Sequence, residues 1–351
     1  MDTYTASNAR PAPLIRFLGW SMLAVLLVYF LNVYLGINKE WPGAFALLSD
    51  NELDAESSKQ SMIQAATYGG ALIVALLYVL FSLRRPLRRD AHVISEINKY
   101  LVRGFFWAVV LIGLADATIS FLRVEGLLGA VVGEDLLKSL GRSQFRGTYV
   151  HLPLLGLGMF MGLITRTLGF HWLALLIVIA ELAIVFTRFI FSYEQAFMGD
   201  MVRFWYAALF LFASAHTLLE DGHVRVDVFY AGMSRRKKGA INSIGAIFLG
   251  MTLCWTILIF GFRGKASIIY GPLSNFEVSQ SGFGMYTKYW MAGFLAVFAV
   301  TMLIQFVAQL FDAYADVRNE PGGRVDKTEV ATDIEAEFGT DVGTENAELA
   351  R

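Results

Sequence analysis

Apolar residues along the chain gather in eight stretches of about twenty, separated by short polar connections; the pattern predicts eight membrane-spanning helices. The stretches are 14–35, 62–82, 103–122, 149–166, 170–191, 202–219, 240–262 and 289–312. Each is long enough to cross the hydrocarbon layer as a helix, so the predicted fold is an all-α, polytopic integral membrane protein. The fourth stretch has Pro153 in its first turn and Gly156, Gly158 and Gly162 along its length. Proline is tolerated there because the N–H it lacks has no helical partner. Small residues at such spacing suit close helix–helix packing. The first stretch follows Arg10 and Arg16 and runs from Leu14 to Leu35. A signal peptide has an apolar core of roughly 7–15 residues, so this longer run is read as a retained helix.

Composition agrees with the pattern. Of 351 residues, 56% are hydrophobic and 17% charged, and the mean hydropathy is +0.53; soluble domains carry about a quarter charged residues. Basic residues set the orientation. Arg84, Arg85, Arg88 and Arg89 crowd one connection, and Arg235, Arg236, Lys237 and Lys238 another. Eight alternating spans put both connections and both termini on one side, which the positive-inside rule assigns to the cytoplasm, with 18 basic residues there against 11. On the outer side, the loop 36–61 carries the apolar AFALL after Trp41-Pro42, placed at the interface. From Arg318 onward nine acidic residues face four basic ones without apolar periodicity, which reads as a disordered acidic tail over 318–351.

Few residues inside the spans are fit for chemistry. Glu181 sits near the middle of 170–191, where an ionisable group is costly unless paired or neutral. Arg188 lies two turns further on, and Asp116 is a second carboxylate nearer the outer face. Three readings stand: Asp116 or Glu181 pairs with Arg188 to lock helices, a carboxylate couples to an ion, or a carboxylate faces a partner subunit. Asp200 and Arg203 are spaced for an ion pair at the outer interface. Trp205, Tyr206, Tyr289 and Trp290 read as interfacial aromatics. His171 and His216 fall near the ends of adjacent spans, shallower than haem ligands usually lie, and Cys254 is the single cysteine. No metal, cofactor or nucleic-acid partner is expected. The chain lacks Walker, HExxH and GxSxG sequences in a suitable context, so no enzyme is expected either.

The densest polar cluster is HTLLEDGHVRVDVFY, which runs from His216 to Tyr230 and precedes the basic RRKK. Gly222 is placed at the end of the sixth helix. Asp221–Arg225 and His223–Asp227 are spaced four apart, and Val226, Phe229, Tyr230 and Met233 form an apolar stripe. An amphipathic helix in the headgroup plane fits this pattern, with Arg235, Arg236, Lys237 and Lys238 on anionic lipid phosphates. The segment resembles the G-H-[IV]-R-V-D sequence of the small membrane subunit of TRAP (tripartite ATP-independent periplasmic) transporters. VFTRFIFSYEQAF, RFWYAALFLFASAHTLLED and FEVSQSGFGMYTKYWMAGFLAVFAVTMLIQFVAQL resemble the flanking parts of that family, and the resemblance covers about 170–315.

The resemblance implies a four-helix small-subunit domain over 166–317, preceded by an extension of four further spans over 1–165. It implies the bacterial inner membrane, a large membrane subunit that moves as an elevator, and a periplasmic binding protein that delivers the solute. The small subunit would be a scaffold in ion-gradient-driven uptake of a small organic solute such as an organic acid. A self-sufficient transporter using Asp116 and Glu181, and a haem- or quinone-associated subunit, are the alternative readings. If Gly222, His223, Arg225 and Asp227 seat the subunit at the membrane, replacing Arg225 and Asp227 together by Ala lowers recovery of the complex with the large subunit. Co-purification from membranes measures this, and wild-type recovery would refute the assignment.

Overall fold

The computed structural model describes residues 11–48, 53–166, 170–193, 196–219, 230, 232–279 and 284–321. Each of the eight apolar stretches falls in a helix long and apolar enough to cross a membrane. In chain order these are α1 (Pro13–Asn38), α2 (Ala55–Phe81) and α3 (Leu87–Val124), then the short α4 (Leu128–Val132) and α5 (Glu134–Leu140). There follow α6 (Ser143–Ile164), α7 (Phe170–Phe191), α8 (Ala196–Leu219), α9 (Arg235–Gly261), the short α10 (Tyr270–Asn275) and α11 (Lys288–Val317). α6 and α9 each contain a wide π turn, over Gly147–His151 and Ala246–Met251. No strand occurs among the described residues. The AFALL segment forms a single 3-10 turn over Ala46–Leu48 with Phe45 and Leu48 exposed, in keeping with an interfacial position.

α3 begins at Leu87, well before the apolar stretch that predicts it. Pro86 has extended backbone and ends the turn after α2, because a proline disfavours helical geometry in the residue before it. The helix then runs 38 residues, about 57 Å at 1.5 Å per residue. Consecutive spans alternate in direction. Both described ends of the chain meet at one end of the bundle, where Arg318 Nη1 donates to the carbonyl of Pro11 at 3.2 Å. This basic end also holds the two arginine-rich connections. At the distal end Lys265 meets Glu40 at 2.7 Å, and the Tyr270 hydroxyl donates to Asn38 at 2.8 Å.

The core is built on α3 and α11. α3 packs along α6, α8 and α11, while α11 also meets α9 and α1. Thus helices from both halves of the chain share one core. Phe204 and Phe212 of α8 set their rings 5.1 and 5.0 Å from Phe294 of α11, and all three are buried. Asn98 of α3 donates to the Thr301 carbonyl (3.0 Å) and to Gln305 Oε1 (3.1 Å), fixing the register of the two central helices. Two aromatics read as interfacial belong to this interior instead. Trp205 is 2% exposed with its indole nitrogen against Gly113, and Tyr289 is 4% exposed. α7 is the contrast, with only 17% of its apolar window buried and its main packing against α8.

Between spans, lipid removes most of the hydrophobic driving force, so close van der Waals contact must hold helices together. The α3–α6 crossing achieves it with glycine. A Cβ on Gly158 would lie 2.4 Å from the Ala108 amide nitrogen, and one on Gly162 would lie 2.8 Å from Gly104 Cα. Both obstacles are backbone and have no rotamer to move. Gly158→Leu is therefore expected to destabilise by about 1–3 kcal/mol or more, seen as a lower melting temperature of the detergent-purified protein. Gly156→Leu, whose Cβ would meet nothing within 4 Å, should leave it unchanged.

Candidate functional site: buried charge clusters

Near the distal end, Asp116 of α3 is fully buried and collects three donors. Arg146 Nη1 donates to Oδ1 at 2.9 Å and His151 Nε2 to the same oxygen at 3.0 Å. The Tyr286 amide donates to Oδ2 at 2.7 Å. Trp290 Nε1, which can only donate, lies 3.2 Å from His151 Nδ1, and the Tyr289 hydroxyl is 2.6 Å from that nitrogen. Nδ1 therefore accepts, so the imidazole is neutral with its proton on Nε2, facing the carboxylate. Arg146 Nε also donates to the Leu140 carbonyl (3.1 Å), and its guanidinium carbon lies 4.0 Å from the Tyr286 ring centroid, while Nη2 has no hydrogen-bond partner among the described residues. The π turn Gly147–His151 starts directly after Arg146, and its extra residue brings the side chains of 146 and 151 to one carboxylate. The result is one positive and one negative charge, mutually neutralised and dry.

A second cluster binds the basic end. Arg16 of α1 is fully buried and donates to Asp90 Oδ2 (2.8 Å) and Ser82 Oγ (2.7 Å), and Trp20 Nε1 donates to the same Asp90 oxygen at 3.1 Å. Arg85 Nε lies 2.8 Å from the other Asp90 oxygen, an ion contact without hydrogen-bond alignment. Beside it, Arg88 and Arg235 share Asp316 of α11, at 2.6 and 2.7 Å. Arg88 also donates to the carbonyl of Pro321 at 2.9 Å. The carboxyl of Glu320 is pushed above the ordinary range by burial, against the pull of Arg318 and Arg88.

Several sequence assignments change. Asp116 pairs with Arg146, not with Arg188; Arg146 reads as a loop residue because nothing in the local pattern ties it to a position thirty residues earlier. Glu181 and Arg188 are both exposed on α7, two turns apart, and Glu181 makes no hydrogen bond or ion pair among the described residues. Asp200 and Arg203 stand 3.9 Å apart with Arg203 73% exposed, while Asp200 accepts from Ser279 Oγ (2.9 Å) and the Met285 amide (3.1 Å). Asp200 is thus held first by the loop before α11. Gly222, His223, Arg225 and Asp227 lie outside the described residues. Of the basic run that follows, Arg235 is engaged with Asp316 and Lys238 sits over the Tyr230 ring at 5.4 Å, whereas Arg236 and Lys237 are exposed.

Residues 175–316 match the family model described as tripartite ATP-independent periplasmic transporters, DctQ component. This segment belongs to that family. Neither a curated protein nor a solved structure gave a match to the chain. The match makes this segment similar to a TRAP transporter small membrane subunit, and the eight long apolar helices make the chain a multi-pass membrane protein with four further spans ahead of the segment. The matched family is a transporter component, not an enzyme family. Its match spans most of α7, all of α8 to α10 and nearly all of α11, whereas Asp116, Arg146 and His151 lie before it. Tyr286, Tyr289 and Trp290 lie within it, so the distal cluster joins the DctQ segment to the added helices. Removing one partner leaves a buried charge uncompensated, at a cost of about 3–5 kcal/mol. Arg146→Met and Asp116→Leu should each lower the melting temperature sharply, and the double variant should recover much of the loss; a double variant worse than both singles would refute the pairing.

Proposed function

We propose that the protein is the static scaffold of its TRAP transporter. It supports a large elevator subunit in ion-gradient-driven uptake of a small organic solute, an organic acid being the leading class, delivered by a periplasmic binding protein. The end with both termini and the arginine-rich connections faces the cytoplasm, in line with the positive-inside rule. In this reading the four added spans over 1–165 and the small-subunit spans over 166–317 act as one body, and 318–351 is a cytoplasmic tail. The segment from Gly222 to Asp227 lies at the cytoplasmic interface.

One observation carries the reading. Among the described residues, every buried Arg, Asp and His side chain (Arg16, Arg88, Asp90, Asp116, Arg146 and His151) is already committed to a contact between elements. A coupling site needs a group free to gain and lose a cation, and Asp116, the best candidate by sequence, is matched by Arg146. Such a bundle is suited to resisting deformation while a partner moves. Reconstituted alone in liposomes under an imposed ion gradient, the chain is expected to take up no solute. Adding the large subunit and the loaded binding protein should restore uptake, and uptake by the chain alone would overturn the scaffold reading.

A further inference from the structure

Glu181 is left unexplained by the clusters. It is the twelfth residue of the 22-residue α7, about 16 Å from either end of the helix. The side chain is too short to reach a headgroup from that depth, and hydrocarbon offers no donor. The helix buries one stripe against α8, through Leu173 and Ala180 with Leu176 and Ile177 beside them. Glu181 falls on the flank of that stripe, in line with Arg188 and next to Val178 (61% exposed) and Val185 (47%). This flank is apolar except for the carboxylate at mid-depth and the guanidinium two turns away.

We propose that this flank of α7 docks the large membrane subunit, which presents a hydrogen-bond donor or cation from one of its spans to Glu181. The inference rests on the scaffold reading and names its contact surface. A second copy of the chain is a poor occupant for a physical reason. Closed pairs are two-fold, and a two-fold axis along the membrane normal at this flank sets like residue beside like. Glu181 would then meet Glu181, two carboxylates without a donor. A different chain has no such restriction, and its donor also lets the pair form only at one depth, which fixes the register of the two subunits across the membrane.

The test uses the full chain, tagged and co-expressed with the large subunit. A photo-reactive residue at Val178 or Val185 is expected to crosslink to the large subunit, and one at the equally exposed Val74 of α2 (65%) is not. Glu181→Leu should lower the recovered large subunit about fivefold or more, with Glu181→Gln losing less because it keeps a hydrogen-bonding amide. The melting temperature of the purified chain alone should not fall in Glu181→Leu, since an exposed leucine suits lipid; a fall would mean that Glu181 has a structural role and overturn the docking assignment. Wild-type recovery by Glu181→Leu, or crosslinks only to a second copy, would also sink it while leaving the scaffold reading intact. A wild-type chain that captures no large subunit would overturn both.

Discussion

Asp116 cannot be buried without Arg146, and most of the distal architecture follows from that requirement. An isolated carboxylate in a dry interior costs many kcal/mol, so the fold must bring a cation to it. That cation is Arg146, at the head of α6. To deliver it, the chain between α3 and α6 folds back through α4 and α5, and the Leu140 carbonyl in that return accepts from Nε. The remaining lone pairs are met by His151, one turn further along α6, and by the Tyr286 amide from the loop before α11. One charge thus sets the position of two loops and three spans. Because the ion pair breaks even at best against an apolar replacement, its value lies in specifying this arrangement over slipped ones.

The basic end solves a different problem. Arginines there serve as the topological signal, yet Arg16, Arg85, Arg88 and Arg235 are all drawn into contacts with Asp90 or Asp316. Guanidinium groups can do both, since each fork offers several donors and stays charged. Arg84, Arg89, Arg236 and Lys237 remain exposed to meet lipid phosphates or solvent. α1, α3, α9 and α11 are therefore tied at this end by charges, while further along they are held by shape and a few neutral hydrogen bonds such as Asn98 to Gln305.

The number and placement of the spans were legible in the sequence because each needs a long apolar run, and a run of that length has few other uses. The first third of α3 was not. Its Arg88, Arg89, Asp90, Glu96 and Lys99 lower hydropathy below any span threshold, although Leu87, Ala91, Ile94 and Val102 repeat at helical spacing and are buried. The family segment was readable through short local motifs. The ion-pair partners were not, because pairing joins residues separated by 30 to more than 200 positions, as with Arg146–Asp116 and Arg88–Asp316. Trp205 and Tyr289 misled for a similar reason: an aromatic near a span end suits either the lipid interface or the core, and only the neighbouring helix decides.

The two intramembrane carboxylates mark opposite faces of the same problem. Asp116 is satisfied from within, by donors from α6 and from the loop before α11. Glu181 is not, and the helix that bears it packs chiefly on α8 alone. The added helices enlarge the bundle around α3 and α11 and leave the α7 flank open. A scaffold gains by such an arrangement. Extra spans on one side raise the resistance of the body to tilting, whereas extra spans on α7 would bury a mid-depth carboxylate that has no partner among the described residues.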